Sequence, residues 1–285
     1  MKKSVFALFI INLSVTIGFS QKNALTSEPD SKVVLATDIK WEPLNPARGN
    51  QSPRAGNLWG DRTSSGASGF LVQFTQGFSS PPHIHNITYR GIVISGLIHN
   101  DDPNAADMWM TTGSYWTQPA GEGHITAANG SSNMAYIEIE NGPYLVQPTG
   151  EAFDNGERPV NMEASNVIWV DASNITWIDS QADMPEVQKR PKVAFLWGKP
   201  QEGELNGTLI RLPAGFAGEI LSNGSDLKVV VIKGQVKSPL NGAYKTMEPG
   251  SYFSSKGEAQ IDVGSADEAI LYVRTNGSYH LTNRE

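Results

Sequence analysis

The sequence predicts an all-β protein made of two related units in tandem, and three observations support that expectation. Apolar residues fall in short β-branched or aromatic runs, helical periodicity is nearly absent, and one long pattern occurs twice. The runs are Phe70-Leu71-Val72-Gln73-Phe74, Ile92-Val93-Ile94, residues 134–140 and residues 227–236, each bounded by glycine, proline, asparagine or serine. Regular short strands between turn residues suggest an antiparallel sandwich or barrel. Only residues 183–189 could hold a brief helical turn, and Pro185 lies inside it.

The chain opens with Lys2 and Lys3, an apolar run over residues 5–17, and Gly18-Phe19-Ser20-Gln21. A basic start, an apolar middle and small residues before a cut after Ser20 are the parts of a signal peptide. The run is shorter than the roughly 20 residues a membrane span needs, and Asn12 and Ser14 interrupt it. We therefore expect a leader over residues 1–20 and a polar stretch over 21–31. The mature protein is expected to be soluble, periplasmic or secreted, and free of the membrane after cleavage.

Leu58-Trp59-Gly60 recurs as Leu196-Trp197-Gly198, an offset of 138 (196 minus 58). At the same offset Gly69 falls on Gly207, Gly77-Phe78 on Gly215-Phe216, Ile92-Val93-Ile94 on Val230-Val231-Ile232, and Gly96 on Gly234. Further on, Gly113-Ser114-Tyr115-Trp116 matches Gly250-Ser251-Tyr252-Phe253, and Asn141-Gly142-Pro143-Tyr144 matches Asn276-Gly277-Ser278-Tyr279. So many matches in order mark an internal duplication. The polar stretch over 150–158 separates an N-terminal unit, residues 32–155, from a C-terminal unit, residues 156–285.

A length of 285 residues suits two ordinary domains, and a hydrophobic fraction of 39% can furnish their cores. With 22 basic against 29 acidic side chains and no basic cluster, nucleic acid is not an expected partner. Zero cysteine removes disulfides, thiolate metal sites and thiol nucleophiles together. A metal site must then be built from histidine and oxygen, and the chain has five histidines.

Three of them sit in spaced frames. Gly77 is followed after five residues by His83-Ile84-His85; Gly113 is followed after five by Pro119-Ala120-Gly121, and after two more by His124. Alternate strand residues point to one face, so His83 and His85 can enter one cavity. With His124 they form a set of neutral imidazoles that leaves coordination positions open. The remaining histidines lack such a frame. His99, beside Asn100-Asp101-Asp102, is expected in a surface loop, and His280 has no partner in sequence. Glu138 and Glu140 share a face with Tyr136 and are expected to be solvated. Gln73, Trp116 and Thr126 are cavity candidates by strand position alone.

These two frames resemble the motifs of the cupin superfamily, and the repeat resembles a bicupin. The first cupin motif places a glutamate after the His-x-His pair, where this chain has Tyr89; the second is matched in full. The run from His85 to Gly91 is similar to a group of bacterial double cupins related to cupin-like domains of anti-sigma factors. The resemblance implies two tandem double-stranded β-helix (jelly-roll) barrels with one metal ion in the first. It also implies a ligand set of His83, His85 and His124 without glutamate, as in the cupin dioxygenases that cleave β-diketones.

Without a carboxylate ligand a divalent ion keeps its full charge and favours an anionic ligand. Tyr89 could be a phenolate ligand, a hydroxyl behind the ligands, or core. Arg90 could pair with an anionic substrate, although an outward, solvated arginine is the plainer expectation. In the second copy His83, His85 and Tyr89 become Leu221, Asn223 and Leu227, and His124 becomes Gln260 or Ile261, so that unit is expected to be metal-free. The leading expectation is an exported enzyme using one divalent ion, Fe(II) before Zn, Mn or Ni, on a small organic anion, with dioxygenase-like chemistry. Lewis-acid isomerase, lyase or hydrolase chemistry on a sugar acid and a non-catalytic binding or sensing module are the alternatives. A homodimer stays open.

Overall fold

The computed structural model describes residues 31–175, 190–238, 244–257 and 259–283. The expected leader and the helical turn expected at 183–189 lie outside the described residues. Within them the chain forms strands and short 3₁₀ turns, and no helix is long and apolar enough to cross a membrane.

The chain forms two seven-stranded antiparallel sheets, one built mainly from each half, with Lys32–Val34 crossing into the C-terminal sheet and Val160–Met162 into the N-terminal one. The N-terminal sheet runs Val160–Met162, Tyr115–Gln118, Tyr89–Ser95, Asn133–Ile139, Ser68–Phe74, Arg54–Trp59, Glu42–Pro43. Across its interior lie a three-stranded sheet (Phe78–Ser79, Ile125–Ala128, Ile98–Asp101) and the pair His83–His85 with Val146–Pro148. The C-terminal sheet runs Lys32–Val34, Tyr252–Lys256, Asp226–Lys233, Ala269–Thr275, Asn206–Leu212, Lys192–Gly198, Val170–Asp171, opposite a five-stranded sheet. The result is two open jelly-roll sandwiches, an all-β architecture.

The continuous apolar runs have a direct cause: the central strands are buried on both faces. Phe70 and Val72 point into the N-terminal interior beside Val93, Ala135 and Ile137. The intervening Leu71 joins Ile92, Ile94 and Tyr136 against Leu209, Val230, Ile270 and Tyr272 of the other half. The C-terminal strands alternate in the same way, with Val229, Val231, Leu271 and Val273 inside their own sandwich. The two large sheets therefore pack back to back, and a period-2 pattern turns into an unbroken one.

The duplicated Leu-Trp-Gly segment builds the same device twice in that interface. Each strand carries a bulge just before its tryptophan. Trp59 Nε1 donates to the Tyr136 hydroxyl at 3.0 Å, and Trp197 Nε1 to the Tyr272 hydroxyl at 3.0 Å. Each indole lies over a glycine. A Cβ on Gly69 would meet Trp59 Nε1 at 2.1 Å, and one on Gly207 would meet Trp197 Nε1 at 2.0 Å. Close approach explains why both glycines recur.

Charge distinguishes the copies. Glu138 faces Arg90 across its strand pair, and the matching C-terminal position pairs Arg274 with Lys228. Glu138 is buried, with Tyr272 donating at 2.8 Å and Tyr136 at 3.1 Å. Arg90 reaches Glu140 at 2.7 Å and lies 3.7 Å from the Trp197 ring centroid; Arg274 binds the same Glu140 at 2.5 Å. Burial raises the Glu138 carboxyl above its usual range, while Arg274 and then Arg90 oppose the rise. Glu138 is thus not on a solvated face, because the second sheet covers it. Arg90 is likewise not an outward, solvated arginine: it is half-buried in the same network.

Removing one member of a buried charge network strands its partners. Glu138→Ala should cost about 3 kcal/mol or more in chemical denaturation, whereas Arg158→Ala, which removes an exposed ion pair, should leave the midpoint unchanged. Equal midpoints for both variants would contradict the packing described.

A candidate metal centre in the N-terminal unit

Backbone pairing brings the two histidine frames together. His83 and His124 exchange N–H···O bonds of 3.0 and 2.9 Å, and the Gly121 N–H donates to the His85 carbonyl at 2.8 Å. Strand His83–His85 also pairs with Val146–Pro148, setting His85 opposite Val146. Gly121 adopts φ +77°, and a Cβ there would meet the Phe153 carbonyl oxygen at 2.4 Å. The glycine after Pro119 is therefore demanded both by conformation and by space.

The three imidazoles share one orientation logic. Nδ1 of His83 bonds the Pro81 carbonyl at 2.9 Å, Nδ1 of His85 the Leu145 carbonyl at 2.9 Å, and Nδ1 of His124 the Glu122 carbonyl at 3.1 Å. A carbonyl only accepts, so each Nδ1 carries the proton and each Nε2 keeps its lone pair. One ring nitrogen from each residue lies within 4.8 Å of the other two. Burial holds all three rings below the usual imidazole range, His124 at about 3, and mutual repulsion adds to this at His85 and His124. Neutral rings tethered at Nδ1, with the lone pair on Nε2, are the state in which histidine binds a metal. The donor set fits a divalent ion of the zinc, iron, manganese or nickel kind.

Tyr89 is buried at the edge of this cluster. Its hydroxyl donates to Asn100 Oδ1 at 2.8 Å and stands 3.4 Å from His124 Nε2. Burial pushes its pKa up, keeping it a neutral phenol. Asn100 is held in turn by Thr126 Oγ1 at 2.8 Å and by its own Nδ2 on Gln118 Oε1 at 2.9 Å. Gln118 Nε2 then donates to the Glu122 carbonyl at 3.2 Å, the same carbonyl that orients His124. Tyr144 completes the site. Its hydroxyl donates to His85 Nε2 at 3.0 Å, and its ring stacks on His85 with centroids 4.2 Å apart.

His83, His85, Tyr89, Asn100 and Tyr144 line a cavity of about 280 Å³, together with Trp116, Phe74, Phe78 and Arg48. Trp116 and Thr126 are cavity residues, while Gln73 is exposed and is not. Arg90, next to Tyr89 in sequence, points to the opposite sheet face and does not line the cavity. His99 is buried rather than at the surface, with Nδ1 3.3 Å from the Met108 carbonyl. Sequence reasoning passed over Arg48, Asn100, Gln118 and Tyr144. Only Tyr144 left a signal, in the repeated Asn-Gly-x-Tyr segment.

The second unit shows what the same frame becomes without these groups. Leu221 pairs with Gln260 where His83 bridges His124, which identifies Gln260 as the counterpart of His124. Leu227, at the Tyr89 position, is fully buried in an apolar core with Phe253 and Met247. Tyr279, the counterpart of Tyr144, bonds Thr208 at 2.7 Å. At the Thr208 position the first unit has Phe70, which leaves the Tyr144 hydroxyl to His85.

A family model described as "Domain of unknown function (DUF4437)" matches residues 32–282. No curated protein matches the chain. Among solved structures, one described as a "putative dioxygenase" from Nostoc punctiforme aligns with TM-score 0.64 and 14% identity, over 88% of this chain and 84% of that one. The salicylate 1,2-dioxygenase of Pseudaminobacter salicylatoxidans aligns with TM-score 0.56 and 14% identity, over 94% and 89%. A protein from Pseudomonas aeruginosa described as glyoxylate-induced aligns with TM-score 0.55 and 12% identity, over 96% of both chains. At these identities the shared property is the fold alone.

Depressed imidazole pKa values carry a stability consequence. The unfolded chain takes up protons near pH ~6.5 while the folded rings stay neutral, so stability is lost as pH falls through that value. For His124 the loss continues down to about pH 3. Metal-free protein should show a falling denaturation midpoint from pH 7 to pH 4, with a shallower slope in His124→Gln. An unchanged slope would mean that the ring is not buried neutral.

Proposed function

We propose that this chain, which belongs to the DUF4437 family, is a metal-dependent enzyme acting on a small organic anion at a three-histidine centre. The observation that carries the reading is the common tether: three Nδ1–H groups committed to backbone carbonyls, with one ring nitrogen of each residue within 4.8 Å of the other two. His83, His85 and His124 would hold one divalent ion, Fe(II) before zinc, manganese or nickel. When bound, such an ion supplies Lewis acidity and, as iron, redox chemistry with O₂. The salicylate 1,2-dioxygenase with the same fold supports a dioxygenase-type reaction over the Lewis-acid alternatives. The largely apolar cavity wall also disfavours a sugar acid.

The protein's own groups have defined tasks in this reading. Tyr89, a neutral hydroxyl fixed by Asn100, offers a hydrogen bond at the cavity floor beside His124. Tyr144 shields His85 from solvent and offers a second hydroxyl. Gln118 and the Glu122 carbonyl hold His124 in its tautomer. Trp116 and its apolar neighbours keep bulk water away. Arg90 has no direct part, since its charge is spent on Glu138 and Glu140.

The second unit, in this reading a degenerate cupin without metal over residues 156–285, serves as the packing partner of a catalytic unit over 32–155. The Lys2-Lys3 start and the apolar run over 5–17 support export, with cleavage after Ser20 and a periplasmic or secreted destination.

Untagged protein should carry about one metal ion per chain, and His124→Ala should reduce that to near zero. Tyr89→Phe should leave metal content unchanged while lowering turnover. Iron-loaded protein should consume O₂ with some member of a panel of aromatic, diketone and oxo-acid anions. Full metal content in the triple alanine variant of the histidines would end the proposal. Metal binding without O₂ uptake on any member would move it to Lewis-acid chemistry or to binding alone.

A further inference from the structure

Among the described residues, one cation on the cavity wall has no charge partner. Arg48 sits in the 3₁₀ turn Pro46–Gln51, held at its entry by Asn45 Oδ1, which accepts from the Ala47 N–H at 3.1 Å. Ser52 Oγ closes the turn by accepting from the Asn45 N–H at 2.8 Å. This conformation sets the half-buried guanidinium 5.7 Å from the centroid of the Phe78 ring. Arg48 and Phe78 line the same cavity as His83, His85 and Tyr89, and no aspartate or glutamate lines it.

Four other arginines are paired with carboxylates. Arg90 and Arg274 share Glu138 and Glu140, Arg62 faces Glu42, and Arg158 pairs with Asp154. Among the described residues no carboxylate lies within ion-pair distance of Arg48. A guanidinium presents five N–H donors in a planar fork suited to a carboxylate. The wall beside it is apolar, built from Leu44, Pro53, Val72, Phe74, Trp116 and Ile137. A cavity of about 280 Å³ admits a molecule of one ring and few substituents.

We propose that the site selects a small carboxylate with a flat apolar body, its carboxylate gripped by Arg48 and its body laid between the Phe78 and Trp116 sides of the cavity. The proposal rests on reading the three imidazoles as the reactive end, toward which the far edge of the ligand points. It adds a substrate class and a specificity residue, Arg48, that neither the histidine frames nor the fold supplies. Charge alone does not satisfy this site, since a hydrated anion such as acetate leaves the apolar wall uncovered. An apolar body alone leaves the guanidinium unpaired.

Three probes separate these contributions: benzoate, benzyl alcohol with the same ring and no charge, and acetate with the charge and no ring. Their binding is measured by calorimetry and by chemical shifts of cavity residues, on metal-free and zinc-loaded protein. Benzoate should bind more tightly than either control, and Arg48→Gln should weaken benzoate about ten-fold or more while leaving benzyl alcohol unchanged. Arg48→Lys should recover part of the loss. Unchanged benzoate affinity in Arg48→Gln, acetate binding as tightly as benzoate, or no benzoate binding to either form overturns the proposal. Metal content, measured on the same samples, tests the histidine centre separately: the metal-free arm reads Arg48 even if no ion binds.

Discussion

The structure depends on the burial of both faces of two large sheets. Each sheet covers its own sandwich with one face and the other sheet with its back. Every central strand then needs apolar or fully partnered side chains at every position. Leu71, Ile92, Val230 and Tyr272 meet that need on the back faces. Glu138 meets it through two tyrosine hydroxyls and two arginines. A lone carboxylate there would be prohibitively expensive to desolvate; a carboxylate in a network is tolerated and ties the two halves in one register.

With the back faces fixed, the interiors were free to diverge. The C-terminal interior closed into an apolar core through Leu227, Val229, Phe253 and Leu281. The N-terminal interior kept a cavity, and the polar groups behind the histidines are hydrogen-bonded to one another. Tyr89, Asn100, Thr126 and Gln118 form one chain of hydrogen bonds ending at the carbonyl that orients His124. The pair Thr208–Tyr279 against Phe70–Tyr144 shows the divergence at one position. Where the C-terminal unit has the threonine hydroxyl its tyrosine bonds it, and where the N-terminal unit has Phe70 the tyrosine hydroxyl bonds the histidine cluster instead.

Much of this was legible because it is local or repeated. The histidine spacing is local, since two residues on a short strand and one past a Pro-x-Gly turn need only backbone pairing to meet. The Trp-over-Gly device is repeated, so Gly69 and Gly207 stood out. What escaped depends on partners far away in sequence. Glu138 reads as a solvated strand residue until Tyr272 and Arg274, more than a hundred residues on, cover it. His99 sits among polar neighbours but on a strand whose first three residues, Ile98, His99 and Asn100, are all buried while Asp101 at its end is half-exposed. Arg90 was a candidate because it follows Tyr89, yet strand alternation sends consecutive side chains to opposite faces. Arg48 carries no motif, and its meaning comes from a turn that folds it over the cavity.

The central claim is that His83, His85 and His124 hold one ion through Nε2. X-ray absorption on protein loaded with one equivalent of zinc tests it directly, because imidazole rings give a distinctive scattering pattern and zinc adds no redox chemistry. The account predicts three histidine nitrogens near ~2.0–2.1 Å, falling to two in His124→Ala with a large loss of affinity. Zinc bound without histidine scattering, or a spectrum indifferent to His124→Ala, would contradict it.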